Sequence, residues 1–327
     1  MAVAAGEITV TAVFDAKALR EQLLAELRRG LGSAPKEISP RWFYDERGSL
    51  LFEEITRLPE YYPTRREREI LTRRADEVAR LSRAQVLVEL GSGSSEKTRL
   101  LLEALRGEGT LRSYVPFDLS EPMLRASAPA IARDFPGLSV HAVVGDFERH
   151  LRGVPRTGRR MVAFLGGTIG NLPPGPRARF LADVARGLDP GETFLLGTDL
   201  VKEPERLHAA YNDSAGVTAQ FNLNVLKVLN RELGADFDPT AFRHHAWFDP
   251  VNAWIEMLLV STRAQRVRVP GLGMAVSFEQ GEAIRTELSC KFRREQVEQE
   301  LAAAGFTLLE WWTDDGSDFA LSLSARA

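Results

Sequence analysis

The spacing of apolar positions changes twice along this chain. From residue 15 to residue 81 it is mostly helical. DAKALREQLLAELRRG (15–30) carries apolar residues at helical spacing and ends in glycine, a short helix is expected near 49–57, and a longer one from about Thr64 to Leu81. Residues 1–14 read as a loosely held arm. Between 85 and 199, short apolar runs alternate with helical stretches. The runs are QVLVEL (85–90), RSYVPFD (112–118), SVHAVVGD (139–146), RMVAFLG (160–166) and ETFLLGTD (192–199), with helices near 95–107, 120–134 and 174–187. Such alternation predicts an open, mostly parallel α/β sheet with crossover helices. After Asp199 it stops. Residues 202–232 are helical with a break around Gly216, and the strand-like runs within 242–288 predict an antiparallel section. A helix over 293–304 and two strands joined by Asp-Gly turn chemistry close the chain.

The expected organisation is a nucleotide-type core over 66–201, completed by 292–327. A mixed α+β second domain is expected from 15–65 and an insertion, 202–291. A length of 327 residues with 44% hydrophobic content accommodates two such bodies. The net charge of −3, with signs interspersed, argues against a large basic nucleic-acid surface. The single cysteine, Cys290, excludes an intrachain disulfide framework and a thiolate-rich metal site. His141, His150, His208, His244 and His245 have no metal-ligand spacing, so no metal is expected. No signal core or long apolar run is apparent, and the expectation is a soluble cytoplasmic protein without nucleic-acid or membrane partners. The basic stretches TRRERE (64–69) and RGVPRTGRR (152–160) read as solvated faces or loops.

The sharpest short motif is VLVELGSGSSEKT (86–98). Gly91 and Gly93 follow the first core strand, where glycine permits a tight turn and close approach of a ligand. A phosphate loop needs glycine before the Lys97-Thr98 pair, and Glu96 stands there, a carboxylate where an anion would have to sit. A dinucleotide loop wants a third glycine, absent at Ser94–Glu96. S-adenosyl-L-methionine, which has no phosphate, suits the loop better. Asp118 ends the second strand, where a carboxylate accepts ribose hydroxyls. Asp146 and Phe147 follow the third and suit an adenine, and Glu89 supports the loop. The fourth strand leads into FLGGTIGNLPPG (164–175), where Gly166 and Gly167 allow close backbone approach and Asn171 offers a donor and an acceptor. DNA amino-methyltransferases carry an Asn/Asp-Pro-Pro-aromatic element near this point. Leu172 interrupts it here and no aromatic follows, so a flipped base would lack its stacking partner. A non-catalytic S-adenosylmethionine-binding protein and a methyltransferase for some other small amine remain alternatives at this level.

The long motifs go further. PRWFYDERGSLLFEEITRLPEYYPTR (40–65), VELGSGSSEKTR, PFDLS, VVGDFE, FLGGTIGNLPP, LGTDLVK, AYND, NRELGADFD, ELSCKFR and WWTD together resemble the L-histidine Nα-methyltransferases of ergothioneine biosynthesis, from about residue 35 to the C-terminus. The resemblance implies a Rossmann-like class I methyltransferase core with a substrate-binding second domain. It also implies a monomer, and three methyl transfers to the α-amino group of L-histidine. By the same resemblance Tyr44, Asn171 and Tyr211 hold the amino and carboxylate end of the substrate, with Tyr44 and Asn171 orienting the amine for catalysis. Tyr61, Glu287 and Ser289 read the imidazole. Met257 lies against the ring, Phe52 forms a nearby wall, and Gly166 borders the substrate. Gly91, Lys97, Asp118, Asp146, Phe147 and Gly166 serve the cofactor.

Overall fold

The structure, a computed structural model, describes residues 7–13, 15–93, 95–146, 150 and 157–327. In chain order its elements are β1 (Ile8–Ala12), α1 (Ala16–Gly32), β2 (Lys36–Glu37), α2 (Glu46–Arg57), α3 (Pro63–Ser82), β3 (Val86–Leu90), α4 (Thr98–Gly107), β4 (Ser113–Asp118), α5 (Glu121–Asp134), β5 (Ser139–Val144), β6 (Arg160–Phe164), α6 (Pro174–Gly187) and β7 (Thr193–Asp199). They continue with α7 (Pro204–Tyr211), α8 (Val217–Leu233), β8 (Phe242–Asp249), β9 (Trp254–Ser261), β10 (Gln265–Val269), β11 (Met274–Phe278), β12 (Ala283–Cys290), α9 (Arg294–Ala303), β13 (Phe306–Thr313) and β14 (Phe319–Arg326). The chain divides into two compact units. One comprises the described residues up to Asp15, Arg65–Leu200 and Phe292–Ala327, and the other Ala16–Thr64 and Val201–Lys291.

The first unit is built on an eight-stranded sheet of order β1-β5-β4-β3-β6-β7-β14-β13. The first six strands run parallel, whereas β14 is antiparallel to β7 and β13 to β14. Every residue of β3, β6 and β7 is buried, as expected of central parallel strands covered on both faces. Leu90 of β3 is level with Phe117 of β4 and Phe164 of β6, so the segments after these strands leave the sheet at one edge. That carboxyl edge is where open α/β sheets place ligands. Pro116, an odd residue for a strand interior, falls where the β4–β5 register skips Val115 and Pro116.

Two details depart from expectation. The loosely held arm contains β1, which pairs in parallel with β5 from Ile8–Val140 to Ala12–Val144. Its mostly exposed residues carry no buried-strand pattern, because an edge strand is held by backbone bonds that need no apolar side chains. The last hairpin closes through Asp314, whose carboxylate accepts the N–H groups of Gly316, Asp318 and Phe319 at 2.7–2.9 Å. Five residues therefore separate β13 from β14, more than a two-residue Asp-Gly turn.

The second unit carries a four-stranded sheet of order β2-β12-β9-β8 and the β10–β11 ribbon. Its core includes Leu27, Phe43, Leu51, Phe221, Leu229, Ile255 and Phe278. Helix α8 begins after Gly216 and ends at Gly234, both left-handed. Asp213 accepts the Val217 and Thr218 N–H groups at 2.8 Å, which satisfies two otherwise orphaned donors of its first turn. Asp45 does the same for α2 by accepting the Gly48 N–H at 2.8 Å.

Candidate active site

In the first unit the glycine loop adopts the backbone its composition anticipates. Gly91 and Gly93 have φ of 68° and 49°, in the left-handed region where a side chain is strained. The Gly91 N–H donates to the Phe117 carbonyl (2.8 Å), tying the loop to β4. Buried Glu89, inside β3, receives the hydroxyls of Thr98 and Tyr114, and Tyr114 in turn shares a 2.9 Å hydrogen bond with Ser95. Thr98, at the start of α4, is thus tied directly to β3, and Ser95 is tied to it through Tyr114. Burial pushes the Glu89 carboxyl up to about 7, against the pull of those two hydroxyls.

Asp118 accepts the Gly93 N–H (3.1 Å) and the Ser120 N–H (2.9 Å). It does not cap α5. Ser120 is the cap, and its hydroxyl accepts the Met123 N–H at 3.4 Å. A carboxylate has about four lone-pair directions, so two backbone bonds leave capacity for a ribose diol. Burial raises its pKa, and the backbone donors oppose that rise. Asp146 is buried at the end of β5, and its backbone N–H meets His150 Nδ1 at 3.1 Å. Phe147 lies outside the described residues.

Lys97 pairs with Glu67 of α3, a fully buried carboxylate whose other oxygen accepts the Gly166 N–H (2.7 Å). One side chain thus joins the loop after β3 to the loop after β6. The solvated reading of TRRERE fails at Glu67. The residue lies three and four positions before buried Ile70 and Leu71, on the inner face of α3, a spacing that was available in the sequence. RGVPRTGRR fails likewise at Arg160, buried and paired with Glu192, while residues 152–156 lie outside the described residues. Gly166 and Gly167, with φ of 78° and 69°, lead into a 3-10 turn, Thr168–Asn171. The Asn171 amide is half-buried and makes no side-chain hydrogen bond among the described residues.

The second unit gathers its predicted residues into two groups. Tyr44, Phe52 and Tyr61 form an aromatic cluster, with ring centroids 5.8 Å apart for Tyr44–Phe52 and 6.3 Å for Phe52–Tyr61. Phe221 of α8 joins it, 5.8 Å from Tyr44 and 6.0 Å from Phe52, and sequence reasoning passed it over. The other group lies on β12. Glu287 and Ser289 share a face, two residues apart beyond a bulge that follows Arg285. Met257 is opposite Glu287 in the register and is 2% exposed, in the core of its unit. Burial pushes the Glu287 carboxyl up to about 7, and the positive charge of Lys291 pulls it down. The Tyr211 hydroxyl donates to Ser289 Oγ (2.7 Å), and Lys291 Nζ donates to both Tyr211 (2.9 Å) and Ser289 (2.8 Å). Lys291, 1% exposed, was missed. The signal for it was its place two residues past Ser289, immediately after the end of β12.

The family model described as "Histidine-specific methyltransferase, SAM-dependent" matches residues 23–326. The chain belongs to this family. It is 56% identical over 304 residues to a histidine N-alpha-methyltransferase of Mycobacterium tuberculosis, covering 93% of this chain and 95% of that one. A histidine N-alpha-methyltransferase of Mycolicibacterium smegmatis is 54% identical, with 94% and 95% covered. A 4-dimethylallyltryptophan N-methyltransferase of Claviceps fusiformis is 28% identical, with 93% and 92% covered. As a member of the histidine-specific family the chain is a methyltransferase, with a Rossmann-like class I core and S-adenosyl-L-methionine as its methyl donor. The turn at Gly91 and Gly93 and the capacity left on Asp118 fit that cofactor. Among the described residues no helix is long and apolar enough to cross a membrane.

Proposed function

We propose that this methyltransferase acts on the α-amino nitrogen of L-histidine, three times in succession, giving hercynine on the route to ergothioneine. The observation that carries this reading is the face of β12. There the Glu287 carboxylate makes no side-chain hydrogen bond among the described residues, and the Ser289 hydroxyl follows two positions later. An imidazole has one N–H to give and one ring nitrogen to receive, which matches a carboxylate beside a hydroxyl. The two mycobacterial relatives, by name histidine N-alpha-methyltransferases, support the same acceptor.

In this reading Gly91, Gly93, Lys97, Asp118, Asp146, Phe147 and Gly166 serve the cofactor. Tyr61, Glu287 and Ser289 read the ring, and Phe52 and Met257 wall it. Tyr211 holds the carboxylate end, while Tyr44 and Asn171 orient the amine. The bound cofactor supplies an electrophilic methyl group on a sulfonium. The amine attacks only as a free base; α-amines titrate at about 8 to 9, peptide ones at the low end, and closeness to the sulfonium with removal from water favours the neutral form. Tyr44 and Asn171 then act by aligning its lone pair, a contribution of position and not of proton abstraction. The protein works as a cytoplasmic monomer with no nucleic-acid or membrane partner.

A second acceptor class, another aromatic amino acid, is favoured by the likeness to the 4-dimethylallyltryptophan enzyme. Product mass after incubation with S-adenosylmethionine and each of the twenty amino acids separates the two. The expected result is a gain of three methyls on histidine alone, with fragments placing them on the α-nitrogen. Methylation of a different amino acid would overturn the roles of Glu287 and Ser289.

A further inference from the structure

The buried trio Lys291, Tyr211 and Ser289 has a fixed direction. An ammonium has three donors and no acceptor, whereas each hydroxyl has one proton. Lys291 donates to Tyr211 (2.9 Å) and to Ser289 (2.8 Å). Tyr211, already receiving from Lys291, gives its proton to Ser289 (2.7 Å). Ser289 Oγ thus receives two donors, which occupy its lone pairs. Its own proton has no place within the trio and must point to an acceptor elsewhere.

Resting on the histidine reading above, we infer that Lys291 makes Ser289 an obligatory donor, so that the β12 face accepts only the neutral, singly protonated imidazole. Glu287 takes the ring N–H and Ser289 gives its proton to the bare ring nitrogen. An imidazolium has N–H on both nitrogens and would set one of them against the Ser289 proton. The charge of Lys291 acts in the same sense, since it favours the ionised, accepting form of Glu287 against burial and repels a cationic ring. Lys291 is a positioning residue here, acting through Ser289 and Tyr211.

Calorimetry on the full chain, with saturating S-adenosylhomocysteine at pH 6.0 in buffers of different ionisation enthalpy, counts the protons released on binding. The two ligands are L-histidine and 3-(1,2,4-triazol-3-yl)-L-alanine, whose ring offers the same N–H and acceptor and stays neutral at that pH. Glu287, Lys291, Tyr211 and the nearby His244, which bonds to the Tyr211 carbonyl (2.9 Å), contribute to both titrations. Their contributions cancel in the difference. In free histidine the α-ammonium lowers the ring pKa from the peptide value to about 6, so the ring is about half protonated at pH 6.0. Histidine is therefore expected to release about half a proton more than the triazole. Lys291→Met should at least halve that difference, because Ser289 can then turn and accept. Ser289→Ala should do the same and serves if Lys291→Met does not fold. A wild-type difference near zero, or one unchanged in both variants, overturns the inference. So does hundredfold rejection of the triazole by a protein that binds histidine. Failure of the wild type to bind either ligand would instead overturn the histidine reading, and this inference with it.

Discussion

Glu89 illustrates how a single buried residue carries more than its strand position suggests. It is 4% exposed, and burial raises its carboxyl from 4.5 to about 7. Between those two values the folded state keeps a proton that the unfolded state has lost. Stability therefore falls as pH rises from about 4.5 to about 7 and is level above. Glu89→Gln removes this dependence. Its stability relative to wild type should improve by roughly 3 kcal/mol between pH 4 and pH 8. Urea unfolding at the two pH values checks this, and an equal offset at both would refute it. Glu89 and Asp118 were legible because acids near strand ends stand out against apolar runs. Glu67, Phe221 and Lys291 were harder to read, since each is defined by what it touches across the fold.

At the scale of elements, the PRWFYDERG stretch shows why a long motif need not be all chemistry. Tyr44 belongs to the aromatic cluster, but its neighbours build the start of α2. Asp45 binds Gly48 N–H, Asn224 and Arg231, each at 2.8 Å. A Cβ on Gly48 would lie 1.7 Å from the Phe43 carbonyl oxygen, a backbone atom that cannot swing aside. Gly48→Ala should therefore cost about 3 kcal/mol or more and loosen α2. Hydrogen exchange over Glu46–Arg57 tests it, and unchanged protection would remove the steric argument. The helices and core strands lay close to where periodicity placed them. β1 did not, because pairing at a sheet edge leaves little trace in hydropathy.

For the whole molecule, each unit has its own core, and the residues assigned to the cofactor belong to the one built on the parallel sheet. S-adenosylhomocysteine at about 100 times its Kd should stabilise the protein by about 2.7 kcal/mol against unfolding. New hydrogen-exchange protection is expected in the segments after β3, β4 and β6, and its absence from all three would sink the cofactor assignment. The amino-acid sequence by itself determined the alternating α/β core, the ligand edge and the family. Those follow from local periodicity and from glycines and acids at strand ends, which are properties of neighbouring residues. Only the tertiary structure decided that Glu67 joins Lys97 to Gly166, that Asp118 binds the glycine loop, and that Lys291 meets Tyr211. Each of these depends on a hydrogen bond whose partners come from different elements, and a one-dimensional pattern carries no record of which elements meet.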